Sequence, residues 1–152
     1  MSETIHGTAV MVGSDGVLIR GESGAGKSAL ALALIERGAR LIADDRLFLS
    51  AVHGRLVATA PAAIAGQIEL RGRGIIAVPH EPGGVIRLVA DIVGEEELER
   101  MPEPHHLSTV LLGVTLPRQP LPGAPDSSAR LVLTALAAFT PSADGGLRMV
   151  RV

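Results

Sequence analysis

The chain has 152 residues, the size of one ordinary domain, and 47% of them are hydrophobic, which is enough to bury a continuous core. Its net charge of −2 and its lack of Tyr and Trp, with Phe48 and Phe139 as the two phenylalanines, exclude a basic or base-stacking nucleic-acid surface. Cysteine is absent, which excludes disulfides and thiolate chemistry. No signal-peptide pattern or membrane-length apolar run occurs, so we expect a cytoplasmic protein without a membrane partner.

The first predicted elements are a hairpin and a helix. Apolar runs at 8–12 and 17–20 are separated by four turn-forming residues, which is typical of a β-hairpin. A glycine-rich segment follows, and residues 28–37 then have helical spacing of apolar side chains. Gly38 is the residue type expected just after the end of a helix.

The next predicted strand, residues 40–43, ends at Asp44 and Asp45. Because open α/β sheets bind ligands at the carboxyl ends of their strands, this position favours a functional role for the acidic pair. Apolar runs at 47–52 and 55–60 on either side of a two-residue turn predict a second hairpin.

A glycine-rich segment with two arginines, Arg71-Gly72-Arg73-Gly74, lies between apolar pieces at 68–70 and 75–78. Backbone freedom combined with two cations predicts a loop that handles anions. Residues 85–93 then predict a strand, and residues 95–100 a short acidic helical turn.

The last part of the chain predicts a final strand at 110–116 and an irregular, proline-rich segment at 117–125. Asp126 is expected to be the N-cap of a helix that ends at Pro141. Helical spacing places five apolar residues toward the core: Leu131, Val132, Ala135, Leu136 and Phe139.

The segment Gly21-Glu22-Ser23-Gly24-Ala25-Gly26-Lys27-Ser28 matches the P-loop pattern G-x-x-x-x-G-K-[ST] between a predicted strand and a predicted helix. Its glycines let several N–H groups face one anion at the positive end of the helix. In such a loop Lys27 neutralises the β- and γ-phosphates and the Ser28 hydroxyl binds Mg²⁺. The motif predicts a nucleotide and Mg²⁺ as ligands, but it does not distinguish a kinase from a sensor.

Phosphoryl transfer also needs a group that orients the nucleophile, and four carboxylates are candidates. Asp45 and Asp44 are favoured, since a carboxylate beside the P-loop can accept the proton of an attacking hydroxyl, although either residue is also a candidate to hold Mg²⁺. Glu69 is a further candidate metal ligand. Asp91 follows an apolar run, like the metal-binding carboxylate of other P-loop proteins, and competes with the pair for the metal.

The basic residues give weaker signals. Arg71 and Arg73 are candidates to neutralise charge on the transferring group. His6 is more typical of a surface residue than of a catalyst, and His105-His106 lacks a third metal ligand nearby in sequence.

Five segments are informative as an ordered set: His6-Gly7, Gly21 to Ser28, Arg37-Gly38, Leu41-Ile42-Ala43-Asp44-Asp45 and Ile68-Glu69-Leu70-Arg71-Gly72-Arg73-Gly74-Ile75-Ile76. Together they resemble HPr kinase/phosphorylase, a bifunctional enzyme family that acts on a serine of the phosphocarrier protein HPr. The Asp pair followed by the Glu-x-Arg-Gly-x-Gly-Ile-Ile loop is far more specific than a P-loop alone.

The resemblance implies an α/β fold in which residues 1–152 form a single P-loop kinase domain with a mixed central sheet, a phosphoenolpyruvate carboxykinase-like variant of the P-loop architecture. It further implies ATP and Mg²⁺ as cofactors, an HPr-like carrier as substrate and a homo-oligomer, since the family forms hexamers. Longer members carry an N-terminal domain that this sequence does not contain, so it resembles the short form from alphaproteobacteria.

Site residues follow from the same resemblance. It implies that Asp45 is the base for phosphorylation and the acid for the reverse reaction, and that Ser28 and Glu69 bind Mg²⁺. The resemblance places His6 and Lys27 in the active site, with Arg100 as a further active-site match. The family loop linked to dephosphorylation is represented by Pro117-Arg118-Gln119-Pro120 without its Gly-Arg-Asn, which leaves phosphorylase activity open.

The leading interpretation is an ATP-dependent protein-serine kinase acting on HPr or a related carrier. The alternative is a non-catalytic module that senses nucleotide or phosphate, and a small-molecule kinase fits less well because the sequence has no arginine-rich lid. The lack of Tyr and Trp predicts that adenine is not clamped by stacking, so other nucleoside triphosphates and even pyrophosphate should be tolerated.

Overall fold

A curled, mixed β-sheet of nine strands forms the frame of the α/β fold in the computed structural model, which describes residues 2–139. In chain order the strands are β1 (Ser2–His6), β2 (Thr8–Val12), β3 (Asp15–Arg20), β4 (Arg40–Ala43), β5 (Arg46–Val52), β6 (Arg55–Thr59), β7 (Gln67–Leu70), β8 (Gly74–Ala77), β9 (Gly83–Ile92), β10 (Ser108–Leu111) and β11 (Val114–Leu121). The helices are α1 (Lys27–Glu36) and α2 (Pro125–Phe139). Strands β7 and β8 pair as a separate hairpin.

The strand order gathers several strand ends at one edge of the sheet. The main order is β1-β5-β6-β9-β3-β2-β4, with β11 beside the second half of β9 and β10 beyond it. Strands β3, β9 and β11 are parallel, and β4 also runs parallel to β3 because both are antiparallel to β2. The carboxyl ends of these four strands therefore meet at one edge, where open α/β sheets bind ligands.

Two hydrophobic cores hold the sheet from its two faces. One face packs against α1 and α2, through residues that include Leu30, Leu34 and Val132. The other face is covered by the curled strands β5 and β6 and by the β10–β11 hairpin, for example through Leu49 and Leu116. Strand β3 is buried on both faces, so the loop that follows it starts from a rigid base.

The first predicted elements are confirmed. The β2–β3 hairpin, α1 and β4 form where the sequence predicts them, and Gly38 follows α1 with a φ of 100°. The β5–β6 hairpin turns through His53 and Gly54, with φ angles of 50° and 75°. Positive φ at both central residues gives the turn a twist that matches the flanking strands, and histidine is among the non-glycine residues that adopt positive φ more often than most.

The prediction of one last strand at 110–116 followed by an irregular segment at 117–125 is wrong. Instead β10 and β11 form a hairpin, and β11 continues to Leu121 through two prolines. Within residues 2–139, β11 past Pro117 pairs only with β9. The Leu121 carbonyl accepts a hydrogen bond from the β9 side. Backbone groups of successive strand residues point to opposite sides, so the nitrogen of Pro120, which carries no hydrogen, faces away from β9. The proline therefore removes no hydrogen bond between β11 and β9.

The structure also corrects or extends the sequence analysis at three smaller points. Strand β1 was not predicted, and it extends the sheet along β5. The acidic turn is a single 3₁₀ turn at Glu95–Glu97 and does not reach residue 100. Helix α2 begins at Pro125, so Asp126 lies in its first turn and is not the N-cap. Pro141, the expected helix end, lies outside the described residues.

Within residues 2–139, neither helix is long and apolar enough to cross a lipid bilayer.

Candidate active site

The glycine-rich loop, residues 21–28, connects β3 to α1 at the edge where the parallel strands end. Gly24 and Gly26 have φ angles of 82° and 108°, which other residues rarely adopt, and Gly26 is the residue that caps α1. The first-turn N–H groups of a helix have no partner inside it and carry partial positive charge. The Lys27 Nζ atom donates hydrogen bonds to the carbonyls of Gly21 (2.9 Å) and Glu22 (3.0 Å), so its charge lies on the loop.

Asp44, at the end of β4, is buried and joins the glycine-rich loop to two other parts of the chain. Its Oδ1 atom accepts hydrogen bonds from the hydroxyls of Ser28 (2.8 Å) and Thr8 (2.9 Å). Its Oδ2 atom lies 3.0 Å from Ser28 Oγ and accepts a 3.3 Å hydrogen bond from the Glu69 N–H. Asp44 therefore brings together Ser28 and the backbone of Glu69, the two residues that the resemblance assigns to Mg²⁺.

This donor set fits Mg²⁺. The cation prefers oxygen ligands and is usually held by one or two carboxylates together with water and substrate phosphates. Ser28 and Asp44 supply such oxygens in contact with each other, and no Lys, Arg or His within the described chain forms an ion pair with Asp44. Across residues 2–139 there is no cluster of three or more His, Cys, Asp or Glu that would hold a metal without a substrate.

Asp45 occupies a strained backbone position next to Asp44. Its φ is 72°, and the Arg46 N–H donates a 2.9 Å hydrogen bond to the Asp44 carbonyl, which makes Asp45 the central residue of a γ-turn. The turn leaves the Asp45 side chain exposed to solvent. Non-glycine residues with positive φ persist where surrounding contacts enforce them, often at functional sites.

His6 is brought to the same place by β1, which the sequence did not predict. In the β1–β5 ladder His6 lies opposite Arg46, the residue after Asp45. The N–H of the following residue, Gly7, donates a 3.0 Å hydrogen bond to the Asp45 carbonyl. A residue that looked like an isolated surface histidine in the sequence therefore neighbours the acidic pair.

Asp91, the competing candidate for the metal, is bound by two arginines. Its carboxylate accepts hydrogen bonds from Arg20 (2.7 and 2.8 Å) and from Arg118 (2.5 Å). Burial alone would raise the pKa of Asp91, but the hydrogen bonds and charges of the two guanidinium groups outweigh it and hold the pKa below its usual value. The hydrogen bond to Asp91 raises the pKa of Arg20. The carboxylate is therefore neutralised within the protein, which disfavours a metal-binding role.

Most of the remaining candidate residues have side chains exposed at the protein surface. The Glu69 side chain is exposed on β7, and Arg71 and Arg73 are exposed at the turn of the β7–β8 hairpin. Arg100 is exposed between two 3₁₀ turns, and in the part of the chain that the structure describes no side-chain hydrogen bond or ion pair links it to the glycine-rich loop. His106 Nδ1 lies 3.0 Å from Glu99 Oε1, but within the described residues it forms no hydrogen bond with that oxygen.

A cleft of about 760 Å³ opens on the β9 side of the glycine-rich loop. It is lined by Gly21 and Glu22 of the loop, by the Asp91 cluster, by the 3₁₀ turn Glu95–Glu97 and by Gly123. Among the described residues that line it, none is aromatic. The segment Pro117 to Pro120, which the sequence suggested as a loop counterpart, instead lies in β11 and contributes Arg118 to the cleft.

Sequence reasoning missed three residues of this site, Thr8, Arg20 and Gly123, and it named Arg118 only as part of a loop, without its partner. Thr8 is the one polar residue in an otherwise apolar run, a signal that could have marked it, because a buried hydroxyl needs a partner. Arg20 and Arg118 had no such signal, since their partner Asp91 lies 71 and 27 residues away in sequence.

Comparisons with known proteins agree with this geometry. A relative from Clostridium tetani, an HPr kinase/phosphorylase, is 49% identical over 75 residues, which is 49% of this chain and 25% of that protein. The HPr kinase/phosphorylase of Clostridium beijerinckii is 42% identical over 94 residues, 62% of this chain and 30% of the relative. The aligned part of this chain thus spans less than a third of the length of these relatives.

A solved structure, the HPr(Ser) kinase/phosphatase from Coxiella burnetii, matches with a TM-score of 0.76 and 31% identity. The match covers 86% of this chain and 94% of that one. The sequence model of the HPr Serine kinase C-terminal domain matches residues 1–138. The chain therefore belongs to the HPr serine kinase C-terminal domain family.

Proposed function

We propose that this protein is an ATP-dependent serine kinase that phosphorylates HPr or a related phosphocarrier. The observation that carries the proposal is the 2.8 Å hydrogen bond between Ser28, the last residue of the glycine-rich loop, and Asp44, the neighbour of Asp45. This contact joins the loop suited to bind phosphate to the residue immediately before Asp45, the residue suited to accept a proton. Membership of the family and the names of the relatives support the same activity.

The phosphate end of the site consists of the glycine-rich loop, acting as a P-loop. The N–H groups at the start of α1 and the Lys27 ammonium neutralise the triphosphate. Ser28, Asp44 and Glu69 are the residues that would hold Mg²⁺, which supplies neutralisation of the charge on the transferring phosphoryl group. The oxygen-only chemistry of these residues supports this assignment.

The acceptor end of the site consists of Asp45 and its neighbours. Asp45 accepts the proton of the HPr serine hydroxyl while the serine oxygen forms a bond to the γ-phosphorus, the bond from that phosphorus to the β–γ bridging oxygen breaks, and ADP leaves. The exposed position of Asp45 supports this role, because a protein substrate must reach it. In the phosphorylase direction an oxygen of inorganic phosphate would form the bond to the phosphoserine phosphorus while the bond to the serine oxygen breaks. Asp45, acting as the acid, would protonate that oxygen, and pyrophosphate would leave.

His6 and Arg100 are proposed to complete the site when the carrier is bound. His6 neighbours the acidic pair through the β1–β5 ladder and is suited to orient the serine or the γ-phosphate. Arg100, together with Arg71 and Arg73, is suited to approach the phosphoryl group from the two exposed segments that flank the site. Hexamer formation and the phosphoenolpyruvate carboxykinase-like variant of the fold are further proposals that the resemblance supports.

Donor selectivity is proposed to be low. Within the described part of the chain, the cleft beside the loop has no aromatic lining residue that could stack on the base of a nucleotide. We expect GTP to replace ATP with less than about a tenfold loss in kcat/KM, and a much larger preference for ATP in a competition assay would contradict this.

The experiment that tests the function is phosphorylation of HPr by the protein and by its Asp45→Asn variant. Asparagine preserves the size of the side chain and tolerates a positive φ, but it cannot accept the serine proton. We expect HPr phosphorylation with the native protein and a loss of about 10²- to 10⁴-fold in kcat for Asp45→Asn. Binding of MgADP, measured by calorimetry, should change little. A native protein that binds nucleotide but labels no HPr would reject the kinase proposal in favour of a sensor.

A further inference from the structure

Thr8 has the position and the contacts of a residue that organises the acidic pair. It is the first residue of β2, and none of its surface is exposed to solvent. Its Oγ1 atom donates a 2.9 Å hydrogen bond to Asp44 Oδ1 and accepts a 3.3 Å hydrogen bond from the Asp45 N–H. One hydroxyl therefore contacts the carboxylate of one aspartate and the backbone of the next.

The backbone on both sides of Asp45 is fixed by the same short segment. The Asp45 N–H is bound by Thr8, and the Asp45 carbonyl accepts the 3.0 Å hydrogen bond from the N–H of Gly7. A γ-turn with a non-glycine residue at positive φ is strained and persists only where neighbouring contacts enforce it. Residues 7 and 8 provide such contacts, and they thereby determine where the Asp45 side chain projects.

The Asp44 carboxylate is oriented by three donors: the hydroxyls of Thr8 and Ser28 and the N–H of Glu69. The Ser28 hydroxyl oxygen is itself a proposed ligand of Mg²⁺, and the Glu69 N–H makes the longest of the three contacts, at 3.3 Å. Thr8 lies on the neighbouring strand β2, outside the glycine-rich loop, and has no proposed role as a metal ligand. It is therefore the side-chain donor that can hold the Asp44 carboxylate without also binding the metal.

We infer that Thr8 is a positioning residue for phosphoryl transfer: its buried hydroxyl holds the metal-facing carboxylate of Asp44 and the γ-turn of Asp45 in one fixed relation. The inference rests on the proposed function, because it assigns Asp44 to the metal and Asp45 to the proton. Thr8 itself contacts neither substrate nor metal. Without its hydroxyl the two aspartates would still be present, but their carboxylates would no longer be held at the correct distance from the loop.

The test compares Thr8→Val, which removes the hydroxyl and keeps the shape, with Thr8→Ser, which keeps the hydroxyl. For Thr8→Val we expect kcat for HPr phosphorylation to fall about tenfold or more, the order expected for losing a hydrogen bond to a charged group. The KM for HPr should stay within about twofold, because the docking surface is unchanged. Thr8→Ser should restore kcat to within about threefold of the native value.

A second readout does not depend on turnover. The Mg²⁺ concentration at half-maximal ATP binding, measured by calorimetry, should rise about tenfold in Thr8→Val, a size typical for removing an outer partner of a metal-binding carboxylate. Binding of metal-free ADP should be unchanged, since the loop amides are not altered. Ser128→Ala is the matched control: it removes a similarly buried hydroxyl, bonded to the Pro122 carbonyl at 2.6 Å, and should leave the Mg²⁺ midpoint unchanged.

Native kcat and a native Mg²⁺ midpoint in Thr8→Val would overturn the inference. An equal loss in Thr8→Ser and Thr8→Val would also overturn it, because the methyl group and not the hydroxyl would then matter. Should Thr8→Val fail to fold, Thr8→Ala provides a second hydroxyl deletion for the same comparison. If the native protein does not phosphorylate HPr, the proposed function falls, while the Mg²⁺ midpoints of the variants still decide the role of Thr8.

Discussion

Two buried carboxylates, Asp44 and Asp91, lie at the same edge of the sheet, and they have opposite surroundings. Each ends or nearly ends a strand that runs parallel to β3, one on either side of the glycine-rich loop. Asp44 accepts hydrogen bonds from two hydroxyls and one N–H, all of them neutral donors. Asp91 accepts its hydrogen bonds from two guanidinium groups, those of Arg20 and Arg118.

The surroundings leave the Asp44 carboxylate able to bind a cation, whereas the Asp91 carboxylate is already paired with two arginine side chains. Neutral donors orient the Asp44 carboxylate and leave its charge uncompensated, so a divalent cation gains the full interaction there. Two fixed arginines neutralise Asp91, and a metal would have to displace them at a large cost. Asp91 instead ties the residue before the glycine-rich loop to β11, a structural role at the rim of the site.

Between these two carboxylates, the larger expected effect comes from Asp44→Asn. The variant keeps the size of the side chain and one acceptor oxygen, but it removes the charge that would attract Mg²⁺. We expect the Mg²⁺ concentration for half-maximal ATP binding to rise about 100-fold, with a similar loss in kcat/KM for HPr. Asp91→Asn is the matched control and should shift the Mg²⁺ midpoint by less than about threefold. Equal shifts in the two variants would remove the distinction between the carboxylates.

The second effect is on stability, and here Asp91 dominates. Asp91→Asn leaves two partly buried guanidinium groups without their counter-charge. Because both arginines keep some contact with solvent, we expect the free energy of unfolding to fall by about 2 kcal/mol, less than for a fully buried pair. Urea unfolding at pH 7 measures the change, with Asp126→Asn, at an exposed ion pair with Arg37, as the control that should cost less than about 0.5 kcal/mol. A loss of that smaller size in Asp91→Asn would argue against a structural role.

The sequence predicted the central elements because their signals are local. The hairpin at 8–20, the glycine-rich loop, α1 and β4 each depend on turn formers, spacing and caps within a few residues. The same signals placed an acidic pair at the end of a strand. They could not show that β4 lies two strands from β3, with β2 between them, which is what brings Asp44 to Ser28.

The failures have a common physical cause, which is pairing over long sequence distances. Prolines at 117 and 120 argued against a strand, but β11 is an edge strand there and needs hydrogen bonds on one side only. Asp91 looked like a metal ligand because its arginine partners are distant in sequence and adjacent in the sheet. A carboxylate's surroundings, and hence its role, depend on strand order, which local patterns do not determine.

A pH titration sharpens the comparison through the depressed pKa of Asp91. A group whose pKa is lowered on folding contributes stability above its unfolded pKa of about 3.9 and loses that contribution as the pH falls through the folded value. The difference in unfolding free energy between the native protein and Asp91→Asn should therefore be constant from pH 7 to about 5. It should shrink steadily as the pH is lowered toward 3. A difference that does not change with pH would mean that the charge of Asp91 is not what stabilises the fold.

The smallest effect is expected from Arg118→Lys, which keeps the charge and changes the geometry. Arg118 bonds Asp91 through Nε at 2.5 Å and the carbonyl of His106 through Nη1 at 2.8 Å. A lysine ammonium cannot reproduce this planar, two-sided contact, so we expect the bond to His106 to be lost at a cost of about 1 kcal/mol.

Arg118→Lys should act on one segment rather than on the whole fold. His106 lies in the 3₁₀ turn Pro104–Leu107, close in sequence to Arg100, so the tether connects the Asp91 cluster to the segment that bears a proposed active-site arginine. Amide hydrogen exchange in residues 98–107 should become about fivefold faster, the factor that corresponds to about 1 kcal/mol of local opening. Arg20→Lys is the control, because Arg20 contacts Asp91 but has no bond to that segment, and its exchange there should match the native protein. Equal acceleration in both variants would show that the ion cluster, and not the bond to His106, holds the segment.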